Sequence, residues 1–395
     1  KDGNLWIGTN FGGLNMFDRK TGKFIHYKHN PQDIHSLSNN RIWSMYKDKY
    51  GVIWIGNNIG GTNKFDIKKR KFAHYKYDSQ DDNSLSNNTV RSIYEDKNGL
   101  LWIGTEKGGL NQFNRITGKF THYKHDPLDK YSLSNNNIWS LFEDKSGTLW
   151  IGTDGGGLNR MENGKWEMGN GNTPSSFIHY KHDPNDPNSL SHNSVLCILE
   201  DQSGALWIGT GGIGLNRFDK KTGKFTHFKH DPKNEHSLSS NSVWSLFEDK
   251  SGTLWIGTYW GGLNKMENGK WEMENGNTAS SFIHYKNDPN DPYSISNNIV
   301  TSIYEDKEGI LWIGTYGGGL NAFDKKTEQF THWRMENGLP NDVVYGILGD
   351  DKGNLWVSTN KGISRFTPPT SPPNPLKGET LPLDNGGGSS PFRGL

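Results

Sequence analysis

The sequence predicts an all-β fold, a β-propeller of four-stranded antiparallel blades, on three observations. A stretch like 148-TLWIGTDGGGLNR-160 occurs eight times, centred on Trp6, Trp54, Trp102, Trp150, Trp207, Trp255, Trp312 and Trp356. These tryptophans lie 48, 48, 48, 57, 48, 57 and 44 residues apart. That period suits a propeller blade and exceeds those of ankyrin or tetratricopeptide repeats. The chain is only 31% hydrophobic, yet 15 Trp, 15 Tyr and 18 Phe stand among its 49 Gly. Such a composition belongs to many short strands joined by tight turns.

Each unit reads as four strands. In one copy they are 242-SVWSLFED-249 (A), 253-TLWIGT-258 (B), 263-LNKM-266 (C) and 281-SFIHYK-286 (D), with a turn at 250-KSG-252. Strict alternation along A puts Val243, Ser245 and Phe247 on one face and Trp244 and Leu246 on the other. Apolar groups on both faces fit a sheet covered on each side by a neighbour. One position of A holds Ser44, Ser92, Ser140, Cys197, Ser245, Ser302 or Gly346. Small groups there suit an innermost strand crowded by its counterparts around the axis.

The chain supplies seven A, eight B, eight C and seven D strands. Six blades are complete, because the first unit lacks A and the last lacks D. The simplest closure is seven-bladed, with both termini sharing the last blade; eight blades, two of them three-stranded, is the alternative. The propeller spans 1–366. Residues 367–395 carry seven of the 16 prolines and a Gly-Gly-Gly-Ser-Ser run, and read as a disordered tail. Insertions at 161–176 and 266–281 lengthen the C–D connection, and their Asn-Gly steps suggest an added hairpin. They either dock a partner or were duplicated with their blade.

With 44 Lys and Arg against 43 Asp and Glu, charge favours neither nucleic acid nor an anionic membrane as partner. No apolar run approaches the roughly 18 residues of a membrane span. No signal peptide is visible, and the chain opens in mid-pattern at Lys1-Asp2-Gly3, which reads as a truncated amino terminus. The single cysteine, Cys197, excludes an internal disulfide.

Several patterns look chemical and read better as architecture. The Thr-x-x-Gly-Gly turn lacks the Lys-Ser/Thr of a phosphate loop, and no helix follows it. Loops such as 183-DPNDPNS-189 carry oxygen ligands that suit calcium, but lack EF-hand spacing; no cofactor is expected. His26, His74, His122, His179, His227, His284 and His332 recur once per unit on strand D. One histidine per blade cannot converge on one metal, so these read as hydrogen-bonding groups. No catalytic motif is found, and no enzyme is expected. His192 alone replaces the Asn or Ser of its loop and is the first residue to mutate if turnover were detected.

Two series vary from copy to copy. Between Thr and Gly-Gly of the B–C turn stand Asn10/Phe11, Asn58/Ile59, Glu106/Lys107, Asp154/Gly155, Gly211/Gly212, Tyr259/Trp260, Tyr316/Gly317 and Asn360/Lys361. Strand A offers Trp43, Arg91, Trp139, Leu196, Trp244, Thr301 and Tyr345. In a propeller, B–C and D–A loops emerge at the same end. Aromatic rings, one guanidinium and several amides there suit an oligosaccharide or similar polar ligand. The candidate ligand-binding residues are Phe11, Trp43, Arg91, Trp139, Trp244, Tyr259, Trp260, Tyr316 and Tyr345. The competing reading packs the strand-A aromatics between blades.

The consensus runs H-D-P-N-D-P-N-S-L-S-x-N-x-V-x-S, then E-D-K-x-G-x-L-W-I-G-T-x-x-G-G-L-N-R-F-D. Residues 182-HDPNDPNSLSHNSV-195 and 205-ALWIGT-210 carry it closely. It resembles the two-component regulator propeller repeat of bacterial hybrid sensor histidine kinase ectodomains. The resemblance implies seven-bladed, often paired propellers on the periplasmic or extracellular side, and a sensing module whose ligand is an oligosaccharide. It covers residues 1–366. No transmembrane helix, kinase, receiver or immunoglobulin-like domain accompanies it, so a membrane link would come through flanking segments. A protein-interaction scaffold, with a protein partner or homodimer, is the second reading. A propeller lyase, resting on fold analogy alone, is the third.

Overall fold

The computed structural model describes residues 4–368, apart from 19–20, 22, 67–70, 163–175, 267–272, 275–276, 279–280 and 350–352, together with 392–393. Its strands form eight sheets, seven of them four-stranded and the first three-stranded, besides one small hairpin. Blade 1 is Leu5–Gly8, Leu14–Asp18 and Lys23–Tyr27; blade 2 is Ile42–Lys47, Ile53–Asn57, Thr62–Asp66 and Lys71–Tyr75. Blade 3 is Val90–Glu95, Leu101–Thr105, Gly109–Asn114 and Lys119–Tyr123; blade 4 is Ile138–Glu143, Leu149–Thr153, Leu158–Met161 and Phe177–Tyr180. Blade 5 is Val195–Glu200, Leu206–Thr210, Leu215–Asp219 and Lys224–Phe228; blade 6 is Val243–Glu248, Leu254–Thr258, Leu263–Met266 and Phe282–Tyr285. Blade 7 is Val300–Glu305, Leu311–Thr315, Gly319–Asp324 and Gln329–Trp333; blade 8 is Val344–Gly349, Leu355–Thr359, Gly362–Phe366 and Phe392–Arg393.

The fold is a β-propeller of antiparallel blades. Among the described residues there are eight blades, which corrects the seven-bladed closure: there the amino-terminal strands pair with each other, and Phe392–Arg393 pairs with the third strand of blade 8. The tail expected over 367–395 otherwise lies outside the described residues, except Thr367 and Pro368. In the second insertion Met273–Glu274 pairs antiparallel with Asn277–Thr278, the expected hairpin; most of the first lies outside the described residues. The chain folds as two compact units, 1–211 with 216–226 and 212–215 with 227–395.

Blades 2 to 7 are each anchored at the A–B turn by one aspartate. In blade 6 Asp249 Oδ1 accepts the backbone N–H groups of Ser251 at 2.9 Å and Thr253 at 3.0 Å. Its Oδ2 accepts the indole N–H of Trp255 at 2.9 Å. The same indole–carboxylate bond joins Trp54 to Asp48, Trp102 to Asp96, Trp150 to Asp144, Trp207 to Asp201 and Trp312 to Asp306, at 2.6–3.0 Å. A buried indole requires an acceptor, and the aspartate supplies it while closing the turn. In blades 2, 4, 6 and 7 the ring then packs on the Phe of strand C in the next blade, as Trp54 on Phe113 and Trp150 on Phe218 in the first unit. Trp255 on Phe323 and Trp312 on Phe366 do the same in the second.

Cations stitch blades together at this end. Lys220 Nζ bridges Asp144 at 3.0 Å and Glu200 at 2.7 Å; Lys325 bridges Asp249 at 2.6 Å and Glu305 at 2.7 Å. Arg115 joins Asp48 and Glu95 in the same way. Burial alone would raise the pKa of Asp249, but Lys325, Ser251, Trp255 and Thr253 outweigh it and hold the carboxyl at about 2.

Strand A departs from strict alternation. Its register shifts by one residue in all seven copies, for example between Val300 and Ser302. Val300 and Ile303 therefore pack together on Trp255 of the preceding blade, while Tyr304 packs toward Trp312 and Val344. This corrects the face expected to hold Val243, Ser245 and Phe247 together: a bulge makes the first and fourth residues of the strand share a face. The small residue after the bulge lies against strand B of its own blade, close to strand A of the next. A Cβ at Gly257 would collide with Ser245 Oγ and approach Val300 Cγ1 at 2.6 Å.

The D–A loops are held from two sides. The backbone N–H of Ser38, Ser86, Ser134, Ser191, Ser239 and Ser296 donates at 2.9 Å to a buried strand-C Asn, for example Asn63 and Asn321. The strand-D histidines His74, His122, His179, His284 and His332 donate Nε2–H to loop carbonyls such as Ser36 and Ser294. They are the hydrogen-bonding groups the repeat implied.

Two outcomes follow from these contacts. Asp249→Asn unfolds the second unit at lower urea, with a loss of about 2–3 kcal/mol read from the denaturation midpoint. Burial lowers the pKa of these five histidines below 6.5, the carbonyl bond opposing it only in part. Their contribution is complete above pH 6.5 and is lost as pH falls. The thermal midpoint therefore drops between pH 7.5 and 5.5, above the range where Asp144 and Asp249 titrate.

Candidate functional site

The inserted residue of each strand-A bulge is Trp43, Arg91, Trp139, Leu196, Trp244, Thr301 or Tyr345, the same seven positions that vary between copies. A bulge residue has no cross-strand partner and its side chain is re-aimed. None of the seven belongs to a buried cluster of the core, and Trp139, Trp244 and Tyr345 are exposed.

The B–C turn lies beside it. The first variable residue of the turn donates its N–H to the carbonyl just before strand A: Glu106 to Thr89, Asp154 to Asn137, Tyr259 to Ser242 and Tyr316 to Ile299, at 2.9–3.0 Å. The two variable series thus meet at one end of each blade. The second turn residue is left-handed at Gly155 and Gly317, with φ of 92° and 104°. Ile59, Lys107 and Trp260 hold the same conformation with φ of 60°, 64° and 68°. For a β-branched or bulky side chain this is a strained state that glycine would relieve. Ile59 is 68% and Trp260 67% exposed, so the strain secures no buried packing.

In the first unit, the Arg91 guanidinium lies 4.1 Å from the ring centre of Trp43 and 4.3 Å from that of Trp139. Its Nη2 meets Glu106 Oε2 at 2.6 Å. Arg91, Glu106, Asn137, Ile138, Trp139 and Asp154 line a cleft of about 80 Å³. Phe11 stands apart from this group, with the Arg41 guanidinium 4.8 Å from its ring centre and Arg41 Nε bonded to Asn10 Oδ1 at 3.2 Å. In the second unit Trp244 stacks on Tyr259 at 4.7 Å and 20°, and Trp260 meets Tyr259 edge-on at 5.4 Å. Tyr316 meets Tyr345 edge-on at 6.3 Å, and the Tyr345 hydroxyl donates to Asn360 Oδ1 at 3.0 Å.

Three of the nine predicted residues form the first-unit sandwich, three the Trp244 group and two the Tyr316 pair. Arg41 and Glu106 were not among them. Glu106 stood in the B–C turn series already, and the signal for Arg41 was a third variable series, the residue preceding strand A: Arg41, Thr89, Asn137, Ser194, Ser242, Ile299 and Val343. His192 Nδ1 accepts the Ser194 N–H at 3.1 Å, the bond that Asn39 and Asn87 make through Oδ1 in their own loops. Among the described residues no group of three His, Cys, Asp or Glu is arranged to hold a metal ion.

Seven segments, 36–58, 84–107, 132–155, 189–212, 237–260, 294–317 and 338–361, match the family model "Two component regulator propeller". Each runs from the D–A loop through strands A and B into the B–C turn. The chain belongs to the two-component regulator propeller family. A comparison with curated proteins found no match. Among solved structures, the extracellular domain of a proposed hybrid two component system of B. thetaiotaomicron is 20% identical with a TM-score of 0.53. The match covers 96% of this chain and 58% of that one, so the chain spans less than two thirds of its length. PorZ, a surface component of the type-IX secretion system of Porphyromonas gingivalis, is 17% identical with a TM-score of 0.63, over 90% of this chain and 50% of that one. Streptogramin B lyase is 15% identical with a TM-score of 0.53, over 82% and 92%. At these identities the likeness is one of fold. No helix among the described residues is long and apolar enough to cross a membrane.

The left-handed turn residues yield a direct test. Replacing Trp260 by glycine removes the strain and raises the thermal stability of the chain by about 1 kcal/mol. Glu328, also left-handed at φ 56°, bonds the Tyr285 hydroxyl at 2.9 Å and Lys265 at 3.3 Å. Glu328→Gly therefore gains less, or loses stability, in the same melting experiment.

Proposed function

We propose that the chain is the ligand-binding propeller of an extracytoplasmic sensor, and that it takes an oligosaccharide or similar polar ligand on its bulge and B–C turn residues without catalysing a reaction. The observation that carries this reading is Trp260. A large aromatic residue is two-thirds exposed and held in a backbone conformation that the neighbouring blade fills with glycine. Strain and exposure together cost stability and give only an edge contact with Tyr259 in return, which is the pattern of a residue kept for contact with a ligand.

The chemistry of the surrounding groups agrees. The Trp244–Tyr259 stack and Trp260 offer flat apolar faces to the C–H surfaces of a pyranose ring. Asn360, at the same turn position in blade 8, adds an amide as donor and acceptor for hydroxyls. Two further facts support an extracytoplasmic sensor: the chain belongs to the two-component regulator propeller family, and one protein of like fold is named as an extracellular domain of such a system.

A glycan array probed with the intact chain should retain at least one oligosaccharide, and calorimetry supplies its Kd. Trp260→Ala weakens that binding about tenfold, and Trp260→Ala with Tyr316→Ala further, while the thermal midpoint holds or rises. Unchanged affinity in both variants removes these residues from the site. Turnover of any glycan, lost in His192→Ala, would replace the binding reading with an enzymatic one.

A further inference from the structure

The cleft beside Arg91 carries a charge selectivity of its own, and this inference rests on the oligosaccharide reading above. The cleft, of about 80 Å³, is lined by polar and charged groups and opens to solvent. Its one lining cation is already occupied: both faces of the Arg91 guanidinium are covered by the indoles of Trp43 and Trp139, and its Nη2 is paired with Glu106 at 2.6 Å. A carboxylate or sulfate entering here would have to displace Glu106 and would face Asp154 across the cleft.

The second carboxylate is differently placed. Asp154 occupies the first variable position of the blade 4 turn, its backbone fixed by the Asn137 carbonyl at 3.0 Å. Its Oδ1 accepts the Ser194 hydroxyl at 2.8 Å, which orients the group and leaves Oδ2 for a donor. Arg91, Glu106 and Asp154 together leave one negative charge in the lining, with the amide of Asn137 and the exposed edge of Trp139 completing the wall. Lys107, next to Glu106, is exposed and does not line the cleft. A protonated amine is the group that satisfies this lining: it is a compact cation with three donors, and the site presents the carboxylates of Asp154 and Glu106, while Asn137 Oδ1 already accepts the Lys107 N–H at 2.7 Å.

We propose that this cleft recognises the ammonium group of an amino sugar within a bound oligosaccharide, with Asp154 as the residue that selects it. The free amine is then preferred over its N-acetylated form, which is neutral, and over a uronate, which is repelled. The preference is electrostatic and weakens as salt is raised.

The test is calorimetry on the intact chain with three probes: a glucosamine trimer at a pH where its amines are protonated, the matching N-acetylglucosamine trimer, and a uronic acid trimer. The expected result is at least tenfold tighter binding of the glucosamine trimer than of either other probe. Asp154→Asn should reduce that preference to less than threefold while its thermal midpoint stays that of the parent. Trp260→Ala, in the second unit, is the control for the underlying reading. A trimer that binds without amine preference, or a preference that survives Asp154→Asn, overturns the selectivity alone. Failure of all three trimers to bind overturns the selectivity, whereas the oligosaccharide reading falls only if the wider array is also empty.

Discussion

The bond between one aspartate and one indole is the constraint from which the rest of the blade follows. The carboxylate closes the A–B turn through two backbone N–H groups and takes the N–H of the tryptophan at the second position of strand B. That satisfies the only polar atom of the ring and frees its whole surface for the next blade, where Trp150 and Trp255 meet a Phe of strand C. Without the acceptor, a buried indole N–H would be left unpaired at each of these blade interfaces. The lysine bridges to Glu200 and Glu305 then use the same carboxylate a third time, tying the turn of one blade to the strand of the next.

A frame so heavily determined leaves little room for variation, and variation is confined to places where the frame makes no demand. The strand-A bulge is one of these, because its inserted residue pairs with nothing across the sheet. The B–C turn is another, because hydrogen bonds to its backbone hold it whatever side chains it carries. Trp244 and Tyr259 therefore meet face to face without disturbing Trp255 below them. The first unit fills the same slots with Arg91, Glu106 and Asp154, the second with Trp260, Tyr316 and Tyr345. One architecture thus offers a charged lining and an aromatic one.

Much of this was legible in the sequence, and for physical reasons. The strand order A to D follows from the repeat, since each strand has its own composition and the A–B and B–C turns carry their own glycines. The histidines were readable as structural because one per blade cannot converge. What escaped was whatever depends on register. A single-residue bulge puts Val300 and Ser302 on opposite faces, where simple alternation would put them together, and no residue type announces it. The blade count escaped for a related reason: strand composition does not say whether the amino-terminal strands join blade 8 or stand alone. The pairing of Arg91 with Glu106 was hidden as well, because the two lie 15 residues apart in a strand and a turn whose approach only the fold reveals.

The central claim is that the frame is passive and the bulge and turn residues make contact. Hydrogen exchange followed by mass spectrometry, on the full chain with and without a saturating oligosaccharide, tests it most directly. The account predicts added protection in peptides spanning the bulges and B–C turns, such as 242–246 and 258–262, with the strand-B segments 254–257 and 311–314 unchanged. Protection confined to the C–D connections at the other end of the blades, around 161–177 and 266–282, would contradict it.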